Sequence, residues 1–528
     1  MTLIEHRKGA HRCLEKPSVI YDMKHLISFL VILLCLSMLI TCLASCGQTS
    51  DGPNKDEETK DQDSESQTEE ESKTDDRIPL NVPEKEYDRS FTFLHWDVDK
   101  GGVGGPWIVW EEIFADKILG DTLNDAIYSR NSVINDTYNV DIVNEYRNIG
   151  ELNETVKNAH MTGKSDYDAY IQRSVQLNGI LTGGYLYNLQ NLPYMDLSHP
   201  WWSQDSIETL ALGNVNQFIA SDITVLDKSA IACVQYNVTV ADQHREAVGN
   251  MYEMVKNGTW TFQQFVEICD NVGTDLDNDG KRNGEGDLVA FYCGDDPVHF
   301  CYNAAGLRFM EHDENNYFVY KFNSADSIEA MTIIYEDLMY ADFFRNNVVE
   351  KGFTTDKFRA NELLFRMGFV KNASQFRDME SDYGILPIPM FAEGQTRFYS
   401  EVSPHHDSMM FISDSITDPD FVGAMLEALA WESHYTVQPI FYDVIITGRS
   451  VRDAESKEML SIIFDSRIYD AGLIFDLEGF GGKVLRHTAT HTTGFASLWD
   501  TYKKPVGEAL EKLNTMIAKL NSPSQSED

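Results

Sequence analysis

One acidic stretch of the sequence has the spacing of a metal-binding loop. It begins at Asp275 and reads DLDNDGKRNGEGD, with further carboxylates at Asp277 and Asp279. Alternate carboxylates followed by a turn at Gly280 can converge on one hard cation, and Lys281 at the seventh position would add its backbone carbonyl oxygen. Calcium is the cation that such an oxygen-rich loop favours.

The residue that completes this loop stays open. Gly286 occupies the twelfth position, where an EF-hand loop has a bidentate Glu, so Asp287 or Glu285 would have to complete the shell. The alternative is an acidic, solvated turn without a metal. Because three carboxylates around one turn repel each other without a cation, we expect a structural calcium ion.

Two groups of histidines could also bind a metal, but we interpret both as polar positions without one. His405, His406 and Asp407 are contiguous, and His487 and His491 are four residues apart. The second pair lacks the adjacent Glu of an HExxH helix, and the surrounding TATHTTG is a poor helix former.

An N-terminal apolar segment is typical of a secretory signal peptide. Residues 26–44 are nearly all apolar and follow a short basic start, so we assign 1–45 to the signal, with Met23 as an alternative start. The segment ends in LASCG, which resembles the lipobox of bacterial lipoproteins, and this resemblance implies a diacylated Cys46. The alternative is an uncleaved membrane anchor. Either version places the body of the protein outside the cell.

The segment 46–86 is predicted to be a disordered acidic stalk. It consists mainly of Ser, Thr, Gln, Asp, Glu and Lys, which cannot bury enough surface to offset the entropy lost on ordering. The formal net charge of the chain, −41, would repel nucleic acid and anionic lipid surfaces. The body has four cysteines, too few for a disulfide scaffold; a bond between Cys293 and Cys301 and free buried thiols both stay open.

The body begins with the alternation of strands and helices that is typical of an α/β fold. Apolar patterns predict strands at 90–94, 140–145 and 169–172, and helices at 121–138 and 149–161. This order indicates parallel strands with helical crossovers. The C-terminal third is more helical, with helical periods at 421–434, 456–464 and 498–520.

Several segments together resemble the extracellular solute-binding proteins of sugar-type ABC importers. They are LPYMDLSHPWW from Leu192, the pair Tyr236 and Asn237, NGTWTFQQFVEICDNV from Asn257, DYGILPIP from Asp382 and VRDAESKEMLSIIFDSRIYDAGLIF from Val451. The resemblance implies an α/β, two-lobed type II periplasmic-binding-protein fold with a hinge and an interlobe ligand cleft. It also implies that the acidic loop is structural.

The resemblance implies a monomer that binds a sugar or oligosaccharide and delivers it to ABC permease subunits, with contact to the membrane only through the lipid. The expected boundaries are 87–225 for the first part of lobe 1, 226–387 for the first part of lobe 2 with the acidic loop, 388–440 for the return to lobe 1 and 441–528 for the helical remainder of lobe 2. The glycine-rich run KGGVGGP at 100–106 would form a loop at the mouth of the cleft.

Sugar binding requires flat apolar faces and fixed polar groups, which are expected at the carboxyl ends of strands. The candidates from lobe 1 are Trp96, Arg173, Gln176 and Asp222, and those from lobe 2 are Tyr442, Phe480 and Trp499. Each could instead belong to the core or to the surface. Trp201, Trp202 and Trp260 are expected to be packing residues.

No catalytic motif is evident in the sequence, which favours a binding protein over an enzyme. Two alternatives stay open. A surface glycoside hydrolase would need only a pair of carboxylates, which the 84 acidic residues could supply. A lipoprotein that presents its ligand to a membrane sensor would use the same fold without transport.

Overall fold

The computed structural model describes residues 77–96, 111–293, 297–346, 353–376, 379–391, 394–446, 454–484 and 495–522, all within one compact unit. The predicted signal peptide, Cys46, the loop at 100–106, His487 and His491 lie outside these residues. None of the helices in the described part combines the length and the apolar character needed to cross a membrane.

The strands of the described residues are β1 (Arg89–Trp96), β2 (Val140–Arg147), β3 (Ala169–Gln172), β4 (Phe218–Ile219), β5 (Ala232–Asn237), β6 (Val289–Cys293), β7 (Met310–His312), β8 (Phe318–Tyr320), β9 (Phe344–Asn346), β10 (Leu363–Phe369), β11 (Tyr383–Leu386), β12 (Ser400–Glu401), β13 (Met409–Phe411) and β14 (Arg467–Ile468). The α-helices are α1 (Thr122–Tyr138), α2 (Ile149–Thr162), α3 (Asn178–Leu181), α4 (Gln204–Thr209), α5 (Leu226–Ser229), α6 (Val238–Gln243), α7 (Arg245–Val248), α8 (Met251–Lys256), α9 (Phe262–Val272), α10 (Pro297–Ala304), α11 (Ala325–Ile334), α12 (Phe353–Arg359), α13 (Pro419–Ile446), α14 (Ala454–Asp465), α15 (Ala471–Phe475) and α16 (Phe495–Leu520).

The first sheet has the strand order β2-β1-β3-β13-β4. β1 pairs in parallel with β2 and β3, and α1 and α2 connect these strands, as the sequence pattern predicts. β13 runs antiparallel to both β3 and β4. This strand is not part of a helical crossover unit, because the chain reaches it only after it has built the second sheet.

The second sheet has the order β11-β5-β10-β6-β9 and also mixes parallel and antiparallel pairs. The chain passes from the first sheet to the second between β4 and β5, and it returns between β11 and β13. We call the part around the first sheet lobe 1 and the part around the second sheet lobe 2. The two sheets and the returning strand confirm the predicted two-lobed α/β fold, whereas the predicted lobe boundaries stay predictions.

Local sequence signals set the ends of the first two helices. The carboxylate of Asp121 accepts a hydrogen bond from the backbone N–H of Asn124 and caps α1, and the amide oxygen of Asn148 does the same for α2. The helices end at Asn139 and Gly163, whose φ angles of 50° and 68° lie in the left-handed region that Asn and Gly tolerate.

A buried carboxylate explains the two adjacent tryptophans of lobe 1. The indole N–H groups of Trp201 and Trp202 donate to Glu427 of α13 at 3.2 and 3.0 Å, and His199 lies 2.6 Å from the same carboxylate. Both tryptophans are fully buried. They therefore pack lobe 1, as expected, and they also satisfy an acidic side chain that would be costly to bury alone. Trp260 is likewise buried, and its indole donates to the backbone oxygen of Pro387.

The folded body includes residues that the sequence analysis assigned to the stalk. The backbone of Ile78 accepts a hydrogen bond from the indole of Trp431 at 2.7 Å and donates one to the hydroxyl of Tyr435 at 2.9 Å. The guanidinium of Arg77 lies 4.5 Å from the centre of the Trp431 ring. The chain is thus attached to α13 about ten residues before the predicted end of the stalk at 86.

The four cysteines of the body are buried and form no disulfide: Cys233, Cys269, Cys293 and Cys301. Burial raises the pKa of the thiols of Cys233 and Cys301 to about 12. These thiols stay protonated and behave as small apolar core groups. The sequence left open either a bond between Cys293 and Cys301 or buried thiols, and the structure has the buried thiols.

Candidate functional site between the two sheets

The two connections between the lobes lie side by side. Ile231, just before β5, forms an isolated antiparallel bridge with Val402, and the backbone N–H of Ser403 donates to the oxygen of Ala230 at 3.1 Å. The N–H of Val370, just after β10, donates to the oxygen of Ile231 at 3.0 Å. Both connections and the end of one lobe 2 strand therefore meet in one place.

The carboxylate of Glu112 joins these connections to the end of β1. One of its oxygens accepts the backbone N–H groups of Val225 and Leu226 at 2.8 and 2.9 Å. The other accepts the hydroxyl of Ser408 at 2.6 Å and contacts a ring nitrogen of His95 at 2.9 Å. Burial works against ionisation of Glu112, but the hydrogen bond and charge of His95 and the other donors hold its pKa below the ordinary value.

His95 links Glu112 to Trp96, the first predicted ligand residue. Its Nδ1 lies 2.7 Å from the backbone oxygen of Trp96, and its Nε2 faces Glu112. Both ring nitrogens thus face oxygen atoms, one of the backbone and one of the carboxylate. The position of Trp96 at the carboxyl end of β1 is thereby linked to the connections between the lobes.

The structure brings Trp96 together with Arg173, the second predicted ligand residue. The guanidinium carbon of Arg173 lies 5.5 Å from the centre of the Trp96 ring, within cation–π range. The buried Nε1 of Trp96 and Nε of Arg173 have no hydrogen-bond partner among the described residues. Gln176 lies three residues further on, partly exposed, in the short 3₁₀ turn that follows.

The contiguous His405, His406 and Asp407 lie against the same corner of lobe 1. Asp407 accepts the backbone N–H of Ser174 at 2.8 Å through one oxygen, and its other oxygen has no hydrogen-bond partner in the described part of the chain. Burial raises the pKa of Asp407 to about 7, although the Ser174 hydrogen bonds and the charge of Arg173 lower it. Burial therefore opposes the ionisation of Asp407, while the nearby guanidinium of Arg173 favours it.

The two histidines indicate a concave surface. His405 is exposed to solvent, yet desolvation and then the charge of Arg173 lower its pKa to about 4. His406 is partly exposed, and its pKa is also lowered by desolvation, then by Lys371, His405 and Arg173. A side chain that is open to water while protein surrounds it on most sides lies in a concave part of the surface.

Lobe 2 contributes side chains that sequence reasoning missed. His299 on α10 is buried near His405, its Nε2 has no partner among the described residues, and desolvation lowers its pKa to about 3. On the other side, the ring of Phe369 lies 4.9 Å from that of His406, edge to face. The polar residues His299 and Asn303 in the otherwise apolar helix PVHFCYNA were the available sequence signal.

Of two further predicted ligand residues, Asp222 belongs to an ion network and Tyr442 lies near it. The carboxylate of Asp222 contacts Lys228 at 3.2 Å and His434 at 2.6 Å, and Lys228 also contacts Asp227. Tyr442 lies near the same charges. Burial is the largest cause that raises the pKa of Tyr442, and the neighbouring charges have smaller effects. Both oxygens of Asp222 are thus engaged, one by Lys228 and the other by His434 of α13, and its role as a ligand residue stays a prediction.

Phe480 is a core residue of the C-terminal part, and the partly exposed Trp499 packs against it. Phe480 is fully buried and packs against Trp499 at 5.5 Å and Phe322 at 4.9 Å. Trp499 also stacks on Tyr320 at 5.7 Å. The assignment of Phe480 as a ligand residue is corrected, because Phe480 presents no surface to solvent, whereas that of the partly exposed Trp499 stays a prediction.

The acidic loop gathers three of the predicted metal ligands. Carboxylate oxygens of Asp275, Asp277 and Asp287 lie within 4.8 Å of one another, which suits ligands of a shared calcium ion at about 2.4 Å. Asp279 is not in this group; its carboxylate accepts the backbone N–H of Lys281 at 2.8 Å.

The same geometry explains the departure at the twelfth position of the loop. A Cβ on Gly286 would lie 2.9 Å from a carboxylate oxygen of Asp277, so a side chain has no room there. Asp287 closes the group and accepts the N–H groups of Leu276 and Gly284. The sequence left open whether Asp287 or Glu285 completes the loop, and in the structure it is Asp287 whose carboxylate lies with those of Asp275 and Asp277.

The sequence matches no protein-family model and no curated protein. The fold is similar to solved structures of sugar-binding ABC solute-binding proteins. A cyclic α-maltosyl-1,6-maltose binding protein from Arthrobacter globiformis is 13% identical with a TM-score of 0.49, over 81% of this chain and 99% of that chain. An ABC substrate-binding protein from Listeria monocytogenes in complex with cycloalternan is 11% identical with a TM-score of 0.48, over 82% and 99%.

A third similar structure is the maltose/maltodextrin-binding domain from Bdellovibrio bacteriovorus bound to maltotriose. It is 12% identical, covers 82% of this chain and 99% of that chain, and has a TM-score of 0.45. At such identities and scores the fold assignment rests on the strand order of the two sheets rather than on the similarity itself.

We predict that Glu112→Gln lowers the free energy of unfolding by about 3 kcal/mol, because it removes the charge of a buried, fully hydrogen-bonded carboxylate and leaves His95 without its counter-ion. Denaturant unfolding measures this loss. The folded-state pKa of Glu112 is lowered, so its stabilisation is present above the ordinary value of 4.5 and is lost as the pH falls below it. The deficit of the variant should therefore shrink in acid.

The matched control is Glu154→Gln, on an exposed face of α2, where the carboxylate contacts only Lys157 in solvent. It should change the free energy of unfolding by less than about 0.5 kcal/mol. If Glu112→Gln is as stable as this control, Glu112 does not stabilise the two connections between the lobes.

Proposed function

We propose that this protein is a lipid-anchored extracellular solute-binding protein that captures a saccharide between its lobes and delivers it to an ABC transporter permease. The observation that carries the proposal is the meeting of unsatisfied, desolvated polar groups from both lobes. Trp96 and Arg173 come from lobe 1 and His299 from lobe 2, with His405 on the connection between them.

These groups suit a ligand with hydroxyl groups. The buried Nε1 of Trp96, Nε of Arg173 and Nε2 of His299 are polar atoms that a bound ligand could engage. Leaving such atoms without a partner in a closed site costs free energy, which a ligand with matching hydroxyls recovers. The similar solved structures include proteins in complex with cycloalternan and bound to maltotriose, which supports a saccharide as the ligand class.

The arrangement also supports binding rather than catalysis. The acidic group beside the cleft, Asp407, has a pKa raised to about 7, and the other carboxylate, Glu112, is consumed by four hydrogen-bond partners. This pair does not provide a solvent-accessible acid and base on either side of a glycosidic bond, as a glycoside hydrolase requires. We therefore favour a binding protein over the hydrolase alternative.

Ligand binding would couple to domain closure through the connections between the lobes. Trp96 is tied through His95 to Glu112, and Glu112 holds both connections. Contacts from both lobes that form only in the closed state bias the equilibrium towards closure. Transfer to permease subunits or, alternatively, presentation to a membrane sensor would follow from recognition of that closed state.

Titration with a panel of oligosaccharides should produce heat for at least one member and a more compact particle in small-angle scattering. A ligand at about 100 times its Kd should add about 2.7 kcal/mol to the free energy of unfolding and raise the melting temperature accordingly. His299→Phe removes the ring nitrogens that His299 contributes from lobe 2 and should weaken binding. His312→Phe, in the β7–β8 hairpin, should not.

Binding of peptides or other solutes with no response to any saccharide would refute the sugar assignment. Turnover products in the titrated samples would refute the binding role. Binding without compaction would refute the closure mechanism.

We further propose that Cys46 carries the lipid anchor and that the signal peptide ends at residue 45. The support is the sequence alone, with an apolar stretch that ends in LASCG. In a bacterial host fed labelled palmitate, the protein should be labelled and found in the membrane fraction. Cys46→Ser should abolish both, while Cys42→Ser, in the predicted signal peptide, should leave them unchanged; a labelled Cys46→Ser protein would contradict the assignment.

We also propose that the acidic loop binds calcium as a structural ion, supported by the convergence of Asp275, Asp277 and Asp287. Removal of calcium with a chelator should lower the melting temperature, and added calcium should restore it. Asp277→Asn, which keeps an oxygen but removes a charge, should reduce this dependence on calcium. Asp313→Asn, in an ordinary acidic turn on the β7–β8 hairpin, should not.

A melting curve that is unchanged after calcium has been removed and its absence verified would exclude the structural ion. An Asp277→Asn protein with the full calcium response would instead assign the ion to other residues.

A further inference from the structure

The charge of the candidate cleft differs from that of the chain. The sequence has 84 acidic and 43 basic residues, so a random group of its charged side chains is about two-thirds acidic. The described groups that act on the pKa values of His405 and His406 are the cations Arg173 and Lys371, together with His405 itself. The charge of Arg173 acts on the described carboxyl group of Asp407, and Asp227, which is itself paired with Lys228, acts on Asp407 as well.

Asp407 offsets the positive charge only in part. It is fully buried and its pKa is raised to about 7, so near neutral pH a large fraction of it is uncharged. Arg173 stays charged, because a guanidinium does not lose its proton in proteins. Among the described residues, the corner of lobe 1 around Arg173 therefore carries more positive than negative charge.

The guanidinium of Arg173 is held in place but not saturated. The ring of Trp96 lies 5.5 Å from its central carbon, and its Nε has no hydrogen-bond partner among the described residues. Burial lowers the pKa of Arg173, which is the sign of a cation partly removed from water. A partly desolvated cation in contact with an aromatic face binds an oxyanion more strongly than a solvated surface arginine does.

The neighbouring histidines complete the polar environment without adding charge. Desolvation lowers the pKa values of His299 and His405 to about 3 and about 4, so both rings are neutral at physiological pH. One ring nitrogen of His299 already hydrogen-bonds the backbone of Gly481, so this ring offers its Nε2, whereas the neutral ring of His405 offers one N–H donor and one acceptor. They can bind hydroxyl groups, while the charged Arg173 is left for an ionised group.

We propose that the solute is an acidic saccharide and that Arg173 binds its anionic group. The inference rests on the proposed function and names the class of its substrate. The shared chemistry is an oxyanion on a sugar ring, either the carboxylate of a uronic acid or a sulfate ester. Arg173 would pair with it by charge-assisted hydrogen bonds, and the Trp96 face and the neutral histidines would contact the rest of the ring.

The test compares acidic and neutral oligosaccharides of the same length and linkage. One arm contains oligogalacturonides, a second contains sulfated galacto-oligosaccharides, and a third contains the neutral galacto-oligosaccharides. Calorimetric titration should give a Kd at least about tenfold lower for one of the acidic arms than for the neutral arm. The stronger arm identifies the oxyanion, and added salt should weaken its binding more than that of the neutral sugar.

Arg173→Gln tests the residue, because it removes the charge but keeps a polar side chain of similar reach. It should reduce the advantage of the acidic sugar over its neutral counterpart by about tenfold. Arg245→Gln is the matched control, since Arg245 is an exposed arginine of lobe 2 that pairs with Asp242 in solvent. This control should keep the preference of the unmodified protein.

The outcomes separate this inference from the proposed function. If neutral saccharides bind as tightly as acidic ones and Arg173→Gln leaves the ratio unchanged, the acidic ligand is excluded while saccharide binding stands. If no saccharide of any arm binds, both fail. Binding of inorganic sulfate with the same affinity as the acidic sugars would also overturn the inference, because the saccharide would then contribute nothing.

Discussion

The buried carboxylate of Glu112 is the constraint on which the region between the lobes depends. A carboxylate inside a protein must be matched by donors, and here the donors come from β1, from the start of α5 and from the residue before β13. Chain segments more than a hundred residues apart are thereby held at one point. Because the same point lies next to Trp96, the geometry of the cleft and the geometry of the connections cannot change independently.

The described buried polar groups are of two kinds, those with partners inside the fold and those without one. Some are fully used inside the fold: Glu427 by two indoles and a histidine, and Asp222 by Lys228 and His434. Others, such as the Nε of Arg173, have no partner among the described residues. Satisfied buried groups stabilise a fold, whereas unsatisfied ones beside an accessible surface are typical of a site that a ligand completes.

Much of the fold could be predicted because it is encoded locally. The first three strands and the two helices between them follow apolar periods and have capping residues such as Asp121 and Asn148 at their ends. The loop from Asp275 could be predicted as well, since its carboxylates are close in sequence. The structure brings together Trp96 and Arg173, which were chosen by the rule that strands in an α/β sheet present ligand residues at their carboxyl ends; their role as ligand residues stays a prediction. The same rule could not find His299, which belongs to a helix.

The sequence by itself determined the α/β class, three of the five strands of the first sheet and the acidic loop, because each of these depends on neighbours within a few residues. Only the tertiary structure decided that Asp222 is consumed by an ion network, that Phe480 belongs to the core and that Asp287 closes the loop. It also brought His299 to His405. Whether a polar side chain is satisfied or available depends on partners far away in the chain, and such pairings leave no periodic pattern in the sequence.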